Sequence, residues 1–160
     1  MVVIWIGGSG YRGYDEGAKV EFNLSSDVHA ANVVFGSGIT LWQVPRDVYT
    51  KVSVSYAELK EKIGDAGPLG RYLIDQLREW NATYHPGPIE PRSLGDSPAI
   101  ALTLFPQSGN PRVRPAPRFG ADGSYLPGSN HPIRVCEEVD VRFLPADMFA
   151  KIRAFGGVHP

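Results

Sequence analysis

Apolar residues along this chain fall in short blocks, and their spacing changes from one block to the next. Residues 2–6 read VVIWI, with no polar residue among them. That is the pattern of a strand buried on both faces of a parallel sheet, and such a strand needs a neighbour on each side. Residues 7–26 are glycine-rich and polar and read as a loop. Asp27 then opens DVHAANVVFGSG, in which Val28, Ala31, Val34 and Phe35 recur at helical spacing and Gly36 and Gly38 mark the stop. Residues 39–45, ITLWQVP, read as a second buried strand. Strand, helix and strand at this spacing predict a right-handed parallel crossover.

The alternation in VYTKVSV (48–54) predicts a short strand. Ser55 and Glu58 spell a capping box ahead of a helix, YAELKEKI, that GDAGP breaks. Pro68 starts the next helix, whose Leu69, Tyr72, Leu73, Gln76, Leu77 and Trp80 share one face. A Pro/Gly-rich segment (85–95) follows, and then Asp96-Ser97-Pro98 opens an apolar helix, with Pro suited to the first turn. Residues 106–132 read as loops with short strands, 133–143 as a strand or two, and PADMFAKIRAF as a closing amphipathic helix. The order predicts an α/β fold: an open, mainly parallel sheet with flanking helices, in one domain over residues 1–160.

Composition narrows the possible functions. Sixteen basic residues against seventeen acidic ones leave no electrostatic footprint for nucleic acid or an anionic membrane surface. The single cysteine, Cys136, excludes an internal disulfide framework and a cysteine-based metal cluster. No apolar run approaches a membrane span, and the start lacks the basic region of a signal peptide. These features make a soluble cytoplasmic protein the expectation. Asn81-Ala-Thr83 spells a glycosylation acceptor that would matter only in a secreted chain.

Gly8-x-Gly10-x-x-Gly13 has the spelling of a dinucleotide-binding fingerprint, but YDEGAKVEFN follows it with no helical periodicity, so the helix that should hold a pyrophosphate is missing. Two polar clusters remain: Asp15, Glu21 and Asn23 with Glu16, and Asp96 with Ser97. At the carboxyl edge of a parallel sheet both would face one crevice. Carboxylates with an amide suit sugar hydroxyls and a cationic transition state, and carboxylates without clustered His or Cys also suit a hard cation such as calcium. The same residues read equally as ordinary loop positions, with Asp96 an N-cap.

The stretch VEFNLSSDVHAANVVFGSGITLWQVPRDV (20–48) resembles the inosine–uridine preferring nucleoside hydrolase family. The resemblance rests on Gly7-Gly8, Glu21-Phe22-Asn23, the run from Asp27 to Gly38, and Pro45-x-Asp47-Val48, all in the family's order. PLGRYLIDQL, LGDSPAIALTL and VDVRFLPADMFAKI resemble its later helix, its late aspartate motif and its C-terminal strand and helix. The resemblance implies an open α/β sheet, a calcium cofactor, and hydrolysis of the N-glycosidic bond of a ribonucleoside, as in nucleoside salvage. It implies that Glu21 holds the 5'-hydroxyl region, that Asn23 binds ring hydroxyls, and that Asp96 ligates calcium and touches the ribose. Gly7 and Gly8 would form the loop beneath the sugar.

Three departures shape the expectation. The family's N-terminal D-x-D-P-G-x-D-D is absent, so the chain reads as a C-terminal half and is expected to be inactive alone. Its partner would be the N-terminal half or a second copy. Asp15 stands where the family has Asn, and Gly95 where many members carry the His that protonates the leaving base. Trp80, Tyr84 and His85 lie in a region that reaches the base pocket in relatives. Trp80 is therefore a candidate for base contact, and Tyr84 or His85 for the acid. The alternative class is a non-catalytic relative that keeps the fold and at most weak ribose binding.

Overall fold

A computed structural model describes residues 1–11, 19–85, 87–129 and 131–158. In chain order the elements are β1 (Val2–Ile6), α1 (Phe22–Ser26), α2 (Val28–Gly36), β2 (Thr40–Val44), α3 (Arg46–Tyr49), β3 (Ser53–Ser55), α4 (Tyr56–Ile63), α5 (Gly67–Tyr84) and β4 (Pro91–Ser93). There follow α6 (Ser97–Leu104), a 3-10 turn (Pro106–Ser108), β5 (Gly109–Pro115), β6 (Arg118–Phe119), β7 (Tyr125–Leu126), β8 (Pro132–Val139) and α7 (Phe143–Val158). The chain divides into two compact units, Met1–Lys51 with Gly95–Asp140, and Val52–Leu94 with Val141–Pro160.

The first unit carries a four-stranded sheet of order β1-β2-β8-β5. β1, β2 and β8 run parallel, and β5 closes the far edge antiparallel to β8. This is the open, mainly parallel α/β sheet that the sequence predicts. The crossover between β1 and β2 is the expected helix α2, whose N-cap Asp27 accepts a 2.8 Å bond from the Ala30 amide. Along β2, Leu41 joins one apolar cluster with Leu24, Phe35, Phe119 and Val135, while Trp42 and Val44 join another with Val48, Leu102 and Cys136. The first cluster is keyed by edge-on rings, with Phe35 5.3 Å from Trp5 and 4.8 Å from Phe119. Such pairs add about 0.5–1.5 kcal/mol beyond burial alone.

Several expectations are corrected. β1 is an edge strand: among the described residues only β2 pairs with it, and Val2 is 57% exposed. The loop assigned to 7–26 ends in α1, and the strand assigned to 48–54 is replaced by α3 and the shorter β3. Pro45 explains α3, because its fixed φ favours the turn that follows. Within 106–132, β5 is a full sheet strand despite Pro111 and Pro115, since an edge strand tolerates missing donors.

In the second unit α4, α5 and α7 pack around Leu59, Ile63, Ile74 and Phe149, beside the β3–β4 pair. The N-cap half of the expected capping box at α4 forms: Ser55 Oγ accepts from the Glu58 amide at 3.0 Å. Glu90 completes the cap, its carboxylate accepting from the Ala57 amide at 3.1 Å. The buried face of α5 is rotated from the predicted one. Leu73 and Leu77 pack against the core as expected and Gly70, Ile74 and Asn81 are buried, whereas Tyr72 and Trp80 are 60% and 50% exposed. Gly70 sets this rotation, because a Cβ there would lie 1.9 Å from the Ile63 carbonyl oxygen. Only a glycine lets α5 approach α4 so closely.

Asn81, the would-be glycosylation acceptor, is a buried strut. Its Nδ2 donates to the Tyr56 hydroxyl, which donates to the Leu77 carbonyl at 3.0 Å, and Arg92 donates to Asn81 Oδ1 at 3.1 Å. Truncating it strands buried polar atoms. Asn81→Ala is therefore expected to cost about 1–3 kcal/mol, read as a lowered urea midpoint, and an unchanged midpoint would refute the strut.

Candidate functional site

The glycine-rich loop leaves β1 at the carboxyl edge of the parallel strands, where open α/β sheets bind ligands. The Gly7 amide donates to the Val44 carbonyl at 3.0 Å, and the Arg46 amide donates to the Gly8 carbonyl at 2.8 Å, so the loop follows the end of β2. Gly8 and Gly10 adopt φ of 77° and 115°, which side chains rarely tolerate. A Cβ on Gly8 would also lie 2.2 Å from the Tyr125 hydroxyl oxygen. The two glycines serve this packing; Gly13 and the segment that a dinucleotide fingerprint would open as a helix lie outside the described residues, and the next described helix, α1, begins at Phe22.

Glu21 anchors the loop. It is 1% exposed, and its Oε2 accepts from the Gly8 amide and the Leu24 amide, each at 2.9 Å. Its Oε1 accepts from the Tyr49 hydroxyl at 2.7 Å. One carboxylate thus caps α1, fixes the loop and fastens α3. Burial and the hydrogen bond to Glu21 push the Tyr49 phenol well above the ordinary tyrosine range, and the negative charge of Asp96 adds to the effect. Asp96 therefore lies within electrostatic reach of the Tyr49–Glu21 pair.

Gln43 is the second anchor. Fully buried in β2, it donates from Nε2 to the Gly7 carbonyl at 3.0 Å and to the Tyr125 hydroxyl at 3.1 Å, and it accepts from the Tyr11 hydroxyl at 2.8 Å. The Gly10 amide completes the network by donating to Tyr125 at 3.3 Å. Burial raises the pKa of Tyr11 and Tyr125, so both phenols stay protonated. Sequence reasoning missed Gln43, Tyr11, Tyr49 and Tyr125. A lone Gln within the apolar run ITLWQVP is the one signal that could have pointed to the site.

The anticipated residues divide between the units. Glu21, Asn23 and Asp96 belong to the first. Asn23 is exposed and donates to the Ile6 carbonyl at 2.9 Å, at the end of β1. Asp96 stands at the N-terminus of α6 but makes no capping hydrogen bond, so its exposed carboxylate is not committed to the helix. Asp15 and Glu16 lie outside the described residues. Trp80, Tyr84 and His85 belong to the second unit. Trp80 and Tyr84 form an exposed aromatic pair with centroids 4.3 Å apart. His85 Nε2 lies 3.3 Å from Arg92 Nη1, and a guanidinium only donates, so Nε2 is the acceptor. In that bond His85 holds no proton on Nε2 for a leaving group.

Calcium takes six to eight oxygen ligands. Among the described residues no group of three or more His, Cys, Asp or Glu side chains is gathered to hold a metal ion, and Asp96 stands without such companions. The described donor set therefore does not fit calcium. Burial pushes the Cys136 thiol up to about 11, which keeps it out of thiolate chemistry near neutral pH. No helix among the described residues is long and apolar enough to cross a membrane.

Neither protein-family models nor curated proteins give a match to the sequence. Solved structures do. A plant nucleoside hydrolase superposes over 99% of this chain with a TM-score of 0.67 at 17% identity. A purine-preferring ribonucleoside hydrolase from Gardnerella vaginalis covers 98% with a TM-score of 0.67 at 20% identity. An inosine-uridine preferring nucleoside hydrolase from Bacillus anthracis covers 94% with a TM-score of 0.61 at 18% identity. This chain has a nucleoside hydrolase fold. It spans about half the length of these proteins: 52%, 51% and 50% of the respective chains.

The buried phenols give this half-fold a pH signature. Tyr11, Tyr49 and Tyr125 are all raised from an ordinary value near 10. Their contribution to stability is complete below that pH and is lost as pH rises through the folded values. The urea midpoint should fall above pH about 10, and Tyr49→Phe should make that fall shallower. At neutral pH the same substitution, which removes a hydrogen bond to a charged group, should cost about 1.5–3 kcal/mol. It should also speed hydrogen exchange at the Gly8 amide. A Tyr49→Phe chain with wild-type exchange at Gly8 would show that Glu21 holds the loop unaided.

Proposed function

We propose that the chain supplies the sugar-binding half of a nucleoside hydrolase-like site, one that cleaves the N-glycosidic bond of ribonucleosides when the other half of the fold is present. One observation carries this reading: nearly the whole chain superposes on half of three nucleoside hydrolases, with its glycine loop, Asn23 and Asp96 in the first unit. In this reading Asn23 and Asp96 are the exposed groups that meet ribose hydroxyls, with Asp15 as a further acceptor. Glu21, buried and triply hydrogen-bonded, positions the loop beneath the sugar.

Cleavage puts positive charge on the ribose, and in this reading the exposed Asp96 carboxylate is the group that favours it. The departing base needs a proton or strong hydrogen bonds. With Nε2 of His85 accepting from Arg92, the candidate donors for that proton in this reading are His85 Nδ1–H and the Tyr84 hydroxyl. Calcium, if the complete protein uses it, requires ligands beyond the described residues of this chain. In this reading a completing half meets the β1 side of the sheet: among the described residues β1 pairs only with β2, and beside it lies an open apolar groove of about 870 Å³, lined by Val2, Ile4, Trp42, Ile100 and Leu102. Val2, Ile100 and Leu104 are each more than half exposed.

The isolated chain is expected to release no base from inosine, uridine, adenosine or cytidine, with calcium or with chelator. Weak ribose recognition should persist, seen in NMR as shifts of the Gly8 and Asn23 amide signals on adding inosine and lost in Asn23→Ala. Calcium-dependent base release by the isolated chain would overturn the half-site account. A spectrum unmoved by every nucleoside would leave a relative that keeps only the fold.

A further inference from the structure

A polar cavity adjoins the glycine loop within the first unit. It measures about 160 Å³ and is lined by Asp47 of α3, Arg114 of β5, Tyr11, and Val135, Cys136 and Glu137 of β8. Two buried atoms of these lining residues have no hydrogen-bond partner among the described residues, Asp47 Oδ1 and Arg114 Nε. One is an acceptor and the other a donor. The rest of the Arg114 guanidinium is engaged, because it pairs with Glu137 and lies 5.0 Å from the centre of the Tyr11 ring. Glu137 is held on its other oxygen by Arg112 at 2.8 Å.

Buried polar atoms in folded proteins are nearly always satisfied, and those that are not call for a bound species. The charges around the cavity balance, with Asp47 and Glu137 against Arg114 and Arg112. A free cation would meet Arg114 and a free anion would meet Asp47, so neither is favoured. What fits is an uncharged group that donates to one atom and accepts from the other, which is the chemistry of a hydroxyl. The space exceeds the about 30 Å³ that a water fills in the liquid. We propose that this cavity is a binding site for a small uncharged hydroxyl compound, water or a short polyol, that bridges Asp47 Oδ1 and Arg114 Nε.

The bridge ties the loop region to the edge of the sheet. Asp47 packs against Gly10, where an added Cβ would stand 2.6 Å from Oδ1, and Arg114 lies on β5. The inference is independent of the nucleoside reading, since neither cavity atom has a role in it.

Crystals of the chain grown without alcohols, and a second set soaked in ethylene glycol, test the site directly. The expected result is an oxygen within hydrogen-bond distance of both Asp47 Oδ1 and Arg114 Nε. Water in both sets identifies water as the occupant, and a glycol in the second set shows that the site accepts an organic hydroxyl. An empty cavity, a bound ion, or direct contact between Asp47 and Arg114 would overturn the proposal. In solution, Asp47→Leu and Arg114→Met should each lower Tm, and the double variant should fall by clearly less than the sum. Fully additive shifts would mean that nothing bridges the two.

Discussion

The buried carboxylate of Glu21 is the constraint on which the candidate site depends. Taking an ionised carboxylate out of water costs several kcal/mol unless hydrogen bonds replace its hydration. Here two backbone amides and one phenol replace it, and each comes from a different part of the chain: Gly8 after β1, Leu24 in α1, and Tyr49 in α3. The loop, the short helix and the turn after β2 are therefore held by one group. Without it, the Gly8 amide would lose its partner and the five-residue helix α1 its N-cap.

Gln43 plays the matching part from inside the sheet. A polar side chain in the middle of a buried strand is tolerated only if every donor and acceptor finds a partner. Gln43 finds them in the loop and in two tyrosines that arrive from distant segments. The result is a loop fixed from both sides, by a carboxylate and by an amide. A rigid loop of this kind suits a binding surface, because little conformational freedom remains to be lost when a ligand arrives.

Fold and chemistry stand at different distances from completion. The superposition on three nucleoside hydrolases covers nearly all of this chain but half of each of theirs, and among the described residues β1 pairs only with β2. Among the described residues the exposed polar groups at the candidate site are the Asn23 amide, bonded to the Ile6 carbonyl, and the Asp96 carboxylate, which makes no helix-capping bond; they fall short of a metal cage.

Local chemistry was legible in the sequence because its causes are local. Asp27 and Ser55 cap helices α2 and α4 within three residues, and the alternation in ITLWQVP places its side chains on two faces of a strand. The motif that resembles nucleoside hydrolases led to the right fold. Long-range geometry was not legible. The burial of Glu21, the rotation of α5 onto Gly70, and the use of Asn81 as a strut each depend on atoms far away in the chain. Periodicity says that a helix has an apolar face, but the helix turns toward whichever side its neighbour can approach most closely. Likewise, the sequence names a carboxylate, and only tertiary packing decides whether it meets a ligand or holds the backbone that does.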